Sequence, residues 1–108
     1  MDIFAPVAYQ HMVNGYVDLN ATTITAIRVG TTNLKDRKWL QIMNASNTRI
    51  YYGSETAPNV EITAEALTKR GQKMPQGDMV WLPVNENITV YGLSYLGGGK
   101  RLRIVEYS

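Results

Sequence analysis

The chain has 108 residues and a formal net charge of +2, from eleven basic and nine acidic side chains, with one histidine and no cysteine. That length supports one domain with one modest core, and so small a positive excess does not by itself point to nucleic acid or to an anionic membrane. The lack of cysteine excludes disulfides, thiolate zinc sites and thiol nucleophiles, which leaves packing and association as the sources of stability.

Residues 1–19 carry Phe4, Tyr9 and Tyr16 with Pro6 and Gly15 but no sustained period, and read as an extended arm with room for one short strand. The arm's two charges, Asp2 and Asp18, are acidic, while all eleven basic residues follow it, so it suits either a basic surface on a neighbouring copy or a flexible or edge-pairing terminus. No basic residue precedes Arg28, so the charged start of a secretory signal is not expected, and a cytoplasmic place of synthesis is. There is no apolar run of eighteen residues that would span a membrane as a helix.

The β-branched stretch Thr22–Val29 predicts a strand. The strongest fold signal is Arg37–Gly53, where Leu40 and Ile42 alternate with Gln41 and Met43, and Ile50 and Tyr52 alternate with Arg49 and Tyr51. Between these runs lies Asn44-Ala45-Ser46-Asn47, whose side chains can bond their own backbone in a turn. The pattern predicts a β-hairpin with Leu40, Ile42, Ile50 and Tyr52 toward the core, and Arg37, Trp39, Arg49 and Tyr51 on the other face.

Val60–Leu67 admits either a strand followed by a loop or one or two helical turns; a strand over Val60–Thr63 is preferred. Lys69–Asp78 is rich in turn formers and long polar side chains and reads as surface. Met79–Val84 predicts a strand with Met79 and Trp81 on one face, and Pro83 puts it at a sheet edge. Strands over Ile88–Leu96 and Lys100–Tyr107 follow, joined by Gly97-Gly98-Gly99, so that the last three strands form a meander. The sum is an all-β chain: an antiparallel, jelly-roll-like β-sandwich of about seven strands over residues 20–108, preceded by the arm of residues 1–19.

Signals for chemistry are weak. His11 has no nearby carboxylate pair, and Glu61 with Glu65 reads as a solvated pair. Gly97-Gly98-Gly99-Lys100 lacks the spacing and the following helix of a phosphate loop and reads as a turn. The three Asn-x-Ser/Thr triplets, at Asn20, Asn44 and Asn87, read as turn and strand chemistry. Basic residues interleaved with aromatics, at Arg37, Trp39, Arg49 and Tyr51 and at Arg101, Arg103 and Tyr107, fit a subunit-contacting face better than a base-stacking one. No catalytic residue, metal site or cofactor is expected.

The sequence Arg37-x-Trp39-Leu40-x-Ile42-x-Asn44-x-Ser46, then Ile50-Tyr51-x-Gly53, Pro75-x-Gly77, Trp81-Leu82, Val90-Tyr91-Gly92-Leu93 and Arg101-Leu102-Arg103-Ile104-x-Glu106, resembles small all-β virion structural proteins of tailed bacteriophages. The similarity covers residues 37–108, departs over Glu61–Lys73, and leaves the arm out. It implies a non-enzymatic capsid decoration or cement protein on the phage head, with the major capsid protein or another virion protein as partner and no nucleic acid or membrane. A tail or fibre accessory that binds host glycans is the alternative. Self-assembly is expected to give a small oligomer, a trimer first, with Phe4, Tyr9, Tyr16, Arg37, Trp39, Arg49, Tyr51 and Trp81 as interface residues.

Overall fold

The computed structural model describes residues 11–55, 61–97 and 99–108. Its strands are β1 (Met12–Leu19), β2 (Thr25–Ala26), β3 (Trp39–Asn44), β4 (Ile50–Gly53), β5 (Gln72–Met74), β6 (Met79–Leu82), β7 (Tyr91–Ser94) and β8 (Lys100–Tyr107). One helix, α1 (Ala64–Arg70), lies between β4 and β5. Two antiparallel four-stranded sheets result, ordered β1-β8-β3-β6 and β2-β7-β4-β5. The expected all-β sandwich is therefore present, with eight strands instead of seven. Because β1 pairs with β8, β2 with β7, β3 with β6 and β4 with β5, the first half of the chain runs back along the second as one long hairpin. Pairing of β3 with β8 and of β4 with β7 closes it into a roll, the jelly-roll topology.

Alternation along the strands fills the space between the sheets. Leu40 and Ile42 of β3 and Leu102 and Ile104 of β8 point inward against Ile50, Met74, Ile27 and Val90 from the other sheet's side, all at most 2% exposed. Each such side chain contributes about 1.5–3 kcal/mol by leaving water. The closing strand has the predicted phase, with Arg101 and Arg103 outward.

Several connections differ from expectation. Residues 37–53 are not a hairpin: β3 lies inside one sheet and β4 inside the other, and residues 44–48 carry the chain across the sandwich. The Asn and Ser side chains do bond the local backbone, as turn chemistry requires. Asn44 Nδ2 donates to the carbonyls of Thr48 (2.9 Å) and Met74 (3.0 Å), and its Oδ1 accepts from Ser46 N–H (3.0 Å) and Oγ–H (2.6 Å). Here they secure a corner between sheets. Alternation specifies which face of a strand is buried and leaves the identity of its neighbour open. For the same reason the last three strands are not a meander, since β6 and β8 belong to one sheet and β7 to the other.

Only Thr25–Ala26 of Thr22–Val29, and Tyr91–Ser94 of Ile88–Leu96, are paired strand. The strand expected over Val60–Thr63 is absent across the described residues 61–63; Thr63 instead caps α1, its hydroxyl accepting from Ala66 N–H at 3.1 Å. Strong helix formers then outweigh the β-branched run before them. Lys69–Asp78, expected to be all surface, contains β5 and a fully buried Met74. β6 does lie at an edge and stops before Pro83. Met12–Leu19, where the arm has room for one short strand, is an eight-residue edge strand paired along its whole length with β8, and the ladder extends to Ser108 N–H donating to the His11 carbonyl at 2.9 Å. The first ten residues of the arm, Phe4 and Tyr9 among them, lie outside the described residues.

The largest departure is Arg37, expected on an outer face and found 2% exposed. Its Nη1 lies 2.8 Å from Glu106 Oε2, both side chains fully buried. Nε donates to the Val84 carbonyl, and Nη2 to those of Asn85 and Ile88. Glu106 also accepts from the backbone N–H groups of Val29 (2.7 Å) and Leu34 (3.0 Å). An isolated buried charge is costly, but here both are paired and most of their hydrogen-bonding capacity is used.

Removing one partner leaves the other charged and buried, so Arg37→Met should lower the unfolding free energy in urea by about 3–5 kcal/mol. The double variant Arg37→Met/Glu106→Leu should not restore stability, because the Val84 and Asn85 carbonyls and the Val29 and Leu34 N–H groups lose these partners with the side chains, and the Ile88 carbonyl keeps only the Asn33 amide at 3.3 Å. Recovery to the wild-type urea midpoint would show that the pair is dispensable.

Candidate association surface

The two sheets treat their outer faces differently. On the β2-β7-β4-β5 sheet, Tyr51 and Leu93 point outward and are covered by Ile62 and by Leu67 of α1, forming a second buried cluster. Tyr51, expected at the surface, is thus 4% exposed. The sequence hid this because its cover lies in the segment read as strand and loop.

No equivalent cover lies over the β1-β8-β3-β6 sheet among the described residues. The strand registers place Met12, Tyr107 and Trp39 in one row across its outer face, Asn14, Val105, Gln41 and Trp81 in the next, and Tyr16, Arg103, Met43 and Met79 in a third. Met12, Tyr16, Met43, Met79 and Trp81 are each 38–57% exposed. Trp81 stacks on Tyr107, with ring centres 5.2 Å apart and planes 24° apart, and meets Trp39 edge-on at 6.2 Å. Gln41 fixes the middle of the face: its Oε1 accepts from Tyr107 Oη–H at 2.9 Å, and its Nε2 donates to Met79 Sδ.

Toward the other end of the face Arg101 lies 3.8 Å over the Tyr16 ring and forms an ion pair with Asp18 at 3.0 Å. The hydrogen bond to Asp18 pushes the Arg101 guanidinium further toward its charged form. Arg103 has no acidic partner among the described residues. Between these groups is a shallow depression of about 500 Å³ bordered by Asn14, Tyr16, Gln41, Met43, Arg101 and Arg103. The face is therefore an aromatic and thioether surface with Arg101 toward one end and Arg103 set between Tyr16 and Met43.

Of the residues expected at an interface, Tyr16, Trp39 and Trp81 share this face. Arg37 and Tyr51 are buried, and Arg49 is exposed elsewhere, its guanidinium 4.1 Å over the Tyr95 ring. Met12, Gln41, Met43, Met79, Arg103 and Tyr107 complete the face. Their outward phase follows from alternation, but their adjacency needs the order of strands. His11 sits at the end of the β1–β8 ladder, with Nδ1 3.4 Å from Ser108 Oγ. No family model matches the chain, and no curated protein matches it.

Trp81→Ala should remove the exciton couplet of the Trp39–Trp81 pair from the circular dichroism spectrum and lower stability by about 1–2 kcal/mol. A larger loss, with unfolding, would place Trp81 in the folding core instead of on a surface.

Proposed function

We propose that this protein is a non-enzymatic virion structural component, a decoration or cement protein of a phage head, and that it works by association through the outer face of the β1-β8-β3-β6 sheet. One observation carries the reading: among the described residues, the aromatic and methionine side chains on the outer face of one sheet have no cover, while the matching face of the other is covered by α1. Exposed apolar patches of this kind mark interaction sites. Trp, Tyr, Met and Arg are also the residue types enriched where proteins meet. The virion setting rests on the sequence motifs, and the partner in that setting is the capsid shell or another virion protein. Arg101 toward one end of the face and Arg103 within it favour a partner surface with acidic groups opposite them.

The same aromatic row favours a second reading, a tail or fibre module that binds host glycans, since flat rings with polar tips suit sugar faces. Binding to purified capsids lacking the protein separates the two. Wild-type protein should co-sediment with capsids. Trp39→Ala/Trp81→Ala should keep its β-sheet spectrum and lose co-sedimentation by at least tenfold in affinity, about 1.4 kcal/mol. Unchanged capsid binding by that folded variant sinks the assigned surface. Failure of the wild type to bind capsids, together with salt-insensitive retention on a glycan array, replaces the first reading with the second.

A further inference from the structure

We propose that the open edge of β1 is a strand-pairing site and that its partner is the β1 edge of a second copy of this chain. Among the described residues the sandwich has four sheet edges: β1 and β6 in one sheet, β2 and β5 in the other. An open edge is a template for another strand, and proteins blunt such edges by shortness, proline, lysine or a bulge. Three of the four follow that rule. β2 is two residues long; β5 is three, with Lys73 at its centre and Pro75 just beyond; β6 is four and stops before Pro83.

β1 has none of these devices. It runs for eight residues, MVNGYVDL, about 26 Å, without proline or lysine and without a break in register from Met12↔Tyr107 to Leu19↔Lys100. Its one charge, Asp18, is already paired with Arg101. Which groups face the edge follows from the ladder. Ser108 N–H donates to the His11 carbonyl, so odd-numbered residues of β1 turn their N–H and C=O toward β8. Met12, Asn14, Tyr16 and Asp18 therefore turn theirs outward, and among the described residues no hydrogen bond reaches them.

A second copy fits this edge by its own symmetry. Antiparallel pairing about a two-fold axis at Tyr16 sets even residues against even, so outward donors meet outward acceptors and each side chain keeps its face. Tyr16 then lies opposite the partner's Tyr16, and the Asn14 amide lies opposite the partner's Asp18 carboxylate. No like charges are opposed. The product is one continuous eight-stranded sheet whose two aromatic faces lie on the same side, twice the area available to a single copy. Such a contact joins copies in twos, in place of the trimer expected from the sequence.

This inference goes beyond the proposed capsid association, and the two fail separately. In a dilution series by sedimentation velocity, the full chain should run as a dimer of the 12.1 kDa unit and dissociate on dilution. Asn14→Pro removes only an outward N–H and should be monomeric, with the wild-type sheet spectrum; Asn14→Ala should remain dimeric. Hydrogen exchange on the wild type supplies a readout that does not depend on a variant folding. The amides of Asn14 and Tyr16 should be protected in concentrated solution and exposed on dilution, while those of Val13, Gly15 and Val17 stay protected in both. The inference is overturned by even-numbered amides that exchange equally fast at both concentrations, or by a folded Asn14→Pro that dimerises like the wild type. A dimer that ignores capsids removes only the virion reading; a monomer that binds them removes only this one.

Discussion

The buried contact between Arg37 and Glu106 is the constraint on which one end of the roll depends. Two side chains, one just before β3 and one near the end of β8, collect backbone groups from the β2–β3 connection and from the β6–β7 connection. Those connections have little regular structure of their own, so their polar groups need partners that are not strands. A guanidinium supplies several donors and a carboxylate several acceptors, which is why a charged pair serves here and two apolar residues of equal volume would not. At the far end of β3, Asn44 does a smaller version of the same task for the corner leading to β4. An interior strand of its sheet is thus held at both ends by polar side chains and along its length by apolar ones.

This arrangement explains what could and could not be read in advance. Period-two alternation is a local property, so the inward phase of Leu40, Ile42, Ile50, Leu102 and Ile104 was legible from neighbouring residues alone. Strand order is not local. A run of alternating residues on either side of Asn44-Ala45-Ser46-Asn47 looks the same whether the chain folds back beside itself or crosses to another sheet. Arg37 is not legible in this way: alternation carried back from Trp39 puts it on the outer face, but β3 begins at Trp39, and the partner that buries Arg37 lies 69 positions away. Tyr51 was misread because its cover comes from α1. The candidate face was half legible: Tyr16, Trp39 and Trp81 were named, while Tyr107, Gln41 and the methionines join them only through the pairing of β3 with both β6 and β8.

The contrast between the two outer faces has a simple physical basis. A sheet with apolar groups on both sides needs a layer on each, and a chain of this size has material for few layers. The segment between β4 and β5 provides one as α1, which seats Leu67 on Tyr51 and Leu93 and turns Glu65, Lys69 and Arg70 to water. Among the described residues the opposite sheet keeps its tryptophans and methionines uncovered, ordered by Gln41.

Pairing β1 with β8 brings His11 and Ser108 side by side at one end of the roll. A pull that separates these two positions would load the terminal hydrogen bonds of the ladder one pair after another, as a zipper opens, and each pair would bear the whole load in turn. A pull spread over the broad face of the sheet would instead be shared by all strands at once. In mechanical terms the end of the β1–β8 ladder is the soft direction of the fold and the face of the sheet the stiff one, so a load applied across that face would not strain the seam that closes the roll.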